Sequence, residues 1–180
     1  MIYLFLAEGF EEIEALTPVD YLRRAGIIVT TVGVGAKNIT GAHNITVAAD
    51  ITTQELPENA DFDGVILPGG MPGTLNLEKD TTVMHFVNRA YNENKLLCAI
   101  CAAPSVLGHA GILNGKKATC FPGFEEDLTG AVATGAPVEK DGNIITARGA
   151  GVAADFAFAI IAACKDQETA DKICRQIQSK

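Results

Sequence analysis

The 180-residue chain sets 14 Lys and Arg against 22 Asp and Glu, a net charge of −8. That acidic balance excludes nucleic acid or an anionic membrane surface as the main partner, since both demand a basic face. With 48% hydrophobic residues, 6% aromatics and no Trp, the chain can bury an aliphatic core, and its length suits one domain over residues 1–180.

No apolar run reaches the roughly 18 residues a membrane-spanning helix needs. The opening Met1–Leu6 has no basic segment and runs into Glu8, so it reads as a strand and not a signal peptide. Five cysteines, an odd number, point to free thiols in a reducing, cytoplasmic compartment. In chain order, Ile2–Leu6 is a buried strand, Glu11–Ala25 a helix stopped by Gly26, and Ile27–Val34 a second strand. Gly64–Leu67 is a short apolar strand, Thr81–Asn94 a helix, Leu96–Ile100 a strand, and Ala103–Ala110 a helix stopped by Gly111. Lys117–Phe121 reads as a strand. Pro137–Glu139 and Asn143–Ala147 flank a turn over 140–143, and Ala153–Cys164 and Gln167–Gln178 close the chain as helices. Apolar strands separated by helices predict an α/β fold whose mostly parallel sheet is covered on both faces, with ligands beyond the carboxyl ends of the strands.

Four strand-to-helix turns carry the candidate chemistry. In Leu97-Cys98-Ala99-Ile100-Cys101-Ala102-Ala103-Pro104, a strand ends on Cys101 and a helix begins near Pro104. This is the layout of a nucleophile elbow, with small residues two positions either side of the nucleophile. A thiol there has its thiolate favoured by the helix dipole and free N–H groups. A buried cysteine on a small-residue turn gives the same pattern. Cys98-x-x-Cys101 also matches a dithiol motif, but Cys98 falls within the strand, where alternation turns it into the core and away from Cys101. The turn Leu67-Pro68-Gly69-Gly70-Met71-Pro72-Gly73 fits an oxyanion cradle, with the Gly70 N–H facing the Ala102 N–H across the Cys101 sulfur. It also fits a plain tight turn.

Glu8-Gly9-Phe10-Glu11-Glu12-Ile13-Glu14 opens the first helix, where Glu11 and Glu12 suit the dipole. Glu14 lies deeper, among Ile13, Ala15 and Leu16. Partly buried beside a thiolate, it would stay protonated and donate to sulfur, whereas on a solvated face it would do neither. Gly149-x-Gly151-x-x-Ala154 matches a dinucleotide fingerprint, but too little chain follows for a second βαβ unit, so no nicotinamide or flavin cofactor is expected. Arg148, at a strand end, suits an anionic substrate group or an interface. His85 and His109 read as surface or capping residues, and no Cys/His cluster has zinc-ligand spacing, so no metal is expected. Cys120 is the best candidate for a second thiol near Cys101.

Taken together, Gly9-Phe10-Glu11-Glu12-Ile13-Glu14, Leu67-Pro68-Gly69-Gly70, Ala99-Ile100-Cys101-Ala102-Ala103-Pro104 and Thr146-Ala147-Arg148-Gly149 resemble the ThiJ/PfpI family, within it the parkinsonism-associated protein deglycase branch. Pro18-Val19-Asp20 and Arg23-Arg24-Ala25-Gly26 extend the resemblance along the first helix. It implies a flavodoxin-like three-layer sandwich related to class I glutamine amidotransferases, and a homodimer. It also implies Cys101 as the reactive cysteine, Glu14 as the protonated acid bonded to it, Gly70 as a neighbouring amide, and Arg148 near the site and interface. The sequence departs from the family pattern at Phe121, where some members carry a histidine, and at His43, where the human-type branch carries an arginine.

The implied function is a cofactor-free glyoxalase or deglycase acting on a small aldehyde or glycated substrate. The alternative is a redox-sensing stress protein or chaperone. An intracellular peptidase is weakened by the loss of histidine at 121, and a thiamine (thiazole monophosphate) biosynthesis label also occurs among relatives.

Overall fold

The computed structural model describes residues 1–179. Strand β1 (Ile2–Leu6) is buried at all five positions. It leads through helix α1 (Glu12–Arg24) into β2 (Val29–Gly33). The start of α1 is fixed by Glu11, whose carboxylate accepts the Glu14 N–H at 2.8 Å, and Arg23 and Arg24 suit the negative end of its dipole. A hairpin of β3 (Asn38–Thr40) and β4 (Thr46–Ala48) and a short strand β5 (Ile51–Thr52) precede β6 (Gly64–Leu67). Helices α2 (Gly73–Lys79) and α3 (Thr81–Asn92) lead to β7 (Leu96–Ile100) and α4 (Pro104–His109). Strands β8 (Lys117–Ala118), β9 (Val132–Ala133), β10 (Val138–Asp141) and β11 (Ile144–Ala147) follow, and helices α5 (Ala153–Cys164) and α6 (Gln167–Gln176) end the described chain.

The main sheet has the order β10-β11-β7-β6-β1-β2-β5. Every neighbouring pair in it is parallel except β10 with β11. One face buries Phe5, Val65, Leu97, Phe86 and Val106. The other buries Leu4, Ile66, Cys98, Ile145, Leu22, Phe156 and Ile160. Side chains alternate between the faces with the period of two that a pleated strand imposes, so both sides of the sheet are covered and the sandwich has three layers. Each fully buried Leu, Ile or Phe contributes roughly 1.5–3 kcal/mol.

The expected strands and long helices are present, with altered ends. The strand expected over Lys117–Phe121 stops at Ala118, because its partner β9 pairs with only two residues, Lys117 with Val132 and Ala118 with Ala133. The turn expected over 140–143 tightens to Gly142 and Asn143, since Lys140 and Asp141 pair with Ile145 and Ile144 and Gly142 takes a φ of +62°. The hairpin β3–β4, strand β5 and helix α2 were outside the sequence reading. From β1 the chain crosses to β2 on one side, while β6 and β7 lie on the other. The turns after β1, β6 and β7 therefore meet where the strand order reverses, the place such sheets reserve for ligands. No helix among the described residues is long and apolar enough to cross a membrane.

Candidate active site

Cys101 follows β7 directly and has a φ of +66°, in the left-handed region that non-glycine residues seldom enter. The strain, of order 1–3 kcal/mol, is held from both sides: the Cys101 N–H donates to the Ala147 carbonyl at 2.9 Å, and its carbonyl accepts the Phe121 N–H at 2.8 Å. This turn lifts the thiol off the sheet edge, half-buried, with the N–H groups of Gly70 and Ala102 donating to its sulfur.

Glu14 comes from the first turn of α1 and is 1% exposed. Its Oε2 accepts the Gly69 N–H at 3.0 Å, the carboxylate also accepts from the Ala150 N–H, and the side chain is hydrogen-bonded to the Cys101 thiol. Gly69 makes this closeness possible. A Cβ at that position would sit 2.6 Å from the Cys101 Cβ and 2.6 Å from Glu14 Oε2, so no side chain fits between the two partners. Gly70, with a φ of +92°, turns the next amide toward the sulfur, and Gly9 and Glu11 leave no room for a side chain there.

Burial pushes Glu14 up to about 7, against the opposing hydrogen bonds from Cys101, Gly69 and Ala150, and the Glu11 charge adds to the rise. Burial also pushes the Cys101 thiol up to about 12, reinforced by the charge and hydrogen bond of Glu14, while the Ala102 and Gly70 amides pull it down. The helix dipole invoked from the sequence is outweighed, because α4 is only six residues long and the sulfur is largely desolvated. Near neutral pH the thiol keeps its proton while Glu14 titrates. With Glu14 ionised the proton stays on sulfur, and a thiolate forms only when that proton moves to Glu14.

Of the residues singled out in the sequence, Cys101, Glu14, Gly70 and Ala102 converge. His43 does not join them. It lies in the loop between β3 and β4, with Nδ1 2.8 Å from Glu12 Oε2 and 3.8 Å from Glu11 Oε1. Arg148 is exposed, and its guanidinium forms no hydrogen bond or ion pair among the described residues. Cys120 is beside Cys101 only through the backbone. Its side chain packs on the opposite face of the sheet, near Glu125, Asp127 and the Phe124 amide, so it is not a partner thiol. Cys98 is fully buried, as its strand position predicts. His85 bonds the Glu58 carbonyl, and His109 pairs with Glu78 and Asp127. The place expected to be short of a histidine is filled by Phe121, whose ring lies against Gly149.

Two features escaped the sequence. Glu12 is 5% exposed, and its Oε1 accepts the backbone N–H groups of His43 (2.8 Å) and Ile45 (3.4 Å). It is a buried anchor for the loop and not a solvated dipole charge. A Cβ on Gly41 would strike its carboxylate, which explains that glycine. The Ala150 amide on Glu14 had no signal at all in the sequence. One ligand atom each from Glu11, Glu12 and His43 lies within 4.8 Å of the others, close enough for a cation. Their roles as helix cap and loop anchor account for that proximity. A cavity of about 670 Å³ lies at the opposite end of the sheet, lined by Met1, Lys95, Lys140 and Cys164 among others, and takes no part in this chemistry.

Comparison with known proteins agrees with this layout. The DJ-1/PfpI family model matches residues 1–163. This chain belongs to the DJ-1/PfpI family. Over 174 residues it is 33% identical to the Parkinson disease protein 7 homolog of Danio rerio, covering 94% of this chain and 92% of that one. It is 33% identical over 153 residues to a deglycase of Pyrococcus horikoshii, covering 82% and 90% of the two chains. Among solved structures, a DJ-1 superfamily protein of Salmonella typhimurium, crystallised as a cysteine-to-alanine mutant, superposes with a TM-score of 0.93 at 36% identity, covering 98% of this chain and 97% of that one. Oxidised DJ-1 of Toxoplasma gondii gives 0.94 at 30% identity with the same coverage. The fold expected from the DJ-1/PfpI-like motifs, a mostly parallel sheet between helical layers, is the fold of these relatives.

Proposed function

We propose that this protein is a cofactor-independent enzyme acting on α-oxoaldehydes or their early glycated adducts, with Cys101 as nucleophile and Glu14 as proton carrier. The observation that carries the reading is the hydrogen bond between the Cys101 thiol and a buried carboxyl poised at about 7, the value a general base needs at neutral pH. Glu14 takes the S–H proton as sulfur attacks the aldehyde carbon, then returns it to the new alkoxide, giving a neutral hemithioacetal. Removal of the C–H proton and its return to the adjacent carbon convert this adduct to a thioester. Water releases the hydroxy acid and restores the thiol, so the net reaction adds one water. The amides of Gly70 and Ala102 stabilise the anionic sulfur. A deglycase among the relatives supports the substrate class.

Two further expectations belong to this reading. Ile13 and Ile45 are each 53% exposed, and Ile45 is tied to Glu12 beside Ile13. Two exposed isoleucines flanking Glu12 in this way support a homodimer, which light scattering after size exclusion tests. The five free cysteines support a reducing, cytoplasmic setting. The deciding experiment is hydroxy-acid formation from methylglyoxal: Cys101→Ala is expected to abolish it, and full turnover by that variant removes the reading.

A second reading, redox sensing by Cys101, is favoured by the oxidised state of the Toxoplasma gondii relative and by the two amides facing the sulfur, which suit sulfinate oxygens. Mass spectrometry after mild peroxide is expected to find two added oxygens chiefly on the Cys101 peptide. Even oxidation of all five thiols counts against it.

A further inference from the structure

The cap and first turn of α1 hold three carboxylates within four residues, Glu11, Glu12 and Glu14, and of these Glu14 reaches the thiol. The other two meet at His43. Its Nδ1 is 2.8 Å from Glu12 Oε2 and 3.8 Å from Glu11 Oε1, and its own N–H donates to Glu12 Oε1 at 2.8 Å. Glu11 is the link to the site: its Oε2 accepts the Glu14 N–H, and its backbone N–H donates to the Gly69 carbonyl at 2.9 Å, on the residue wedged between Glu14 and Cys101.

We propose that His43 is a positioning residue for the Cys101–Glu14 pair: its ring, seated on Glu12 and beside Glu11, offsets the negative charge that Glu11 presents to Glu14, and so sets the pH at which the pair yields a reactive sulfur. The inference rests on the reading of Cys101 and Glu14 as the reacting pair. Among the described residues, Glu11 and Glu12 are the charged groups that act on His43, and Glu11 and the Cys101 thiol are the titratable groups that act on Glu14. The Glu12 hydrogen bond and charge raise the His43 ring above its ordinary value, so the cation is present below that raised value and is lost as the pH climbs through it. While it is present, Glu11 opposes Glu14 ionisation less. In the single chain the His43 side chain is 68% exposed, and water there screens the effect to a fraction of a pH unit.

The test is the pH dependence of Cys101 alkylation by iodoacetamide on the full chain, read on the Cys101 peptide, which needs no aldehyde turnover. The wild-type rate is expected to rise with a midpoint near the Glu14 value of about 7. In His43→Ala the midpoint is expected to move up by roughly 0.3–1 unit, the size of one screened charge nearby. His43→Arg, which keeps the cation at every pH, is expected to bring it back to the wild-type value or below. In a Glu11→Gln background, where the amide still caps the helix, His43→Ala is expected to have no further effect. Superimposable His43→Ala and wild-type profiles overturn the proposal. So does a shift that persists without the Glu11 charge, or a rate change uniform across pH, which marks mere loosening of the loop. A moved midpoint in a protein inert to methylglyoxal upholds the role of His43 and sinks the proposed substrate class instead.

Discussion

Glu12 and Glu14 are two residues apart on one helix and both are buried, yet their surroundings drive them in opposite directions. Burial alone raises each. At Glu12, hydrogen bonds from the His43 ring and from the His43 and Ile45 amides outweigh it, and the carboxyl falls below its usual value. At Glu14 the burial is deeper, its three hydrogen bonds do not offset it, the Glu11 charge works against ionisation, and the carboxyl climbs to about 7. One pocket provides donors enough to keep a charge, and the other keeps a proton available. The same residue type is thereby an anchor on one side of the helix and a proton carrier on the other, and burial by itself predicts neither.

Glu14→Gln breaks this contrast most sharply. It leaves the shape and removes the proton carrier, so hydroxy-acid formation is expected to fall by about 10²–10⁴-fold, and the rise in wild-type rate through pH 7 should vanish from the pH–rate profile. The same variant reports on stability. Since the folded value of about 7 lies above the ordinary 4.5, the Glu14 contribution to stability is full below 4.5 and is lost as the pH rises through 7. Denaturant melts should find Glu14→Gln more stable than wild type at pH 8, by up to ~3 kcal/mol, with the gain gone at pH 4.

Gly69→Ala presses on the reactive side alone. Its Cβ meets Cys101 and Glu14 at 2.6 Å each, and overpacking of this kind costs roughly 1–3 kcal/mol. Melts should register that loss together with a drop in turnover. Glu12→Gln, the smallest effect, tests the anchoring side. The charged acceptor of three hydrogen bonds becomes neutral, at a cost of about 1–2 kcal/mol near pH 7. Because the Glu12 value is lowered, its stabilisation is present above the unfolded value and lost as the pH falls. The gap between variant and wild type should therefore close on acidification, the reverse of the Glu14→Gln series.

Much of the frame was legible in the residues. The fully apolar runs Ile2–Leu6, Gly64–Leu67 and Leu96–Ile100 are buried strands of the sheet, and their pattern requires cover on both faces. Cys101 is recognisable because a strand, a small-residue turn and a proline follow one another with no spare positions. The hairpin of β3 and β4 was not legible, since each strand has three residues and only Ile39 is fully buried. That missing hairpin is why Glu12 was misread. Its partners come from the loop between those strands, and an acidic residue in a helix's first turn already has a sufficient local explanation.

The sequence by itself determined the layers and the sharp turn that presents a sulfur, because hydrophobic period and turn chemistry are local properties of neighbouring residues. Only the tertiary structure decided the strand order, which carboxyl reaches that sulfur, which one ties down a loop, and that Cys120 packs on the opposite face of the sheet. Those outcomes depend on desolvation and on donors from distant segments, Gly69, Ala150 and His43 among them, whose approach no local pattern encodes.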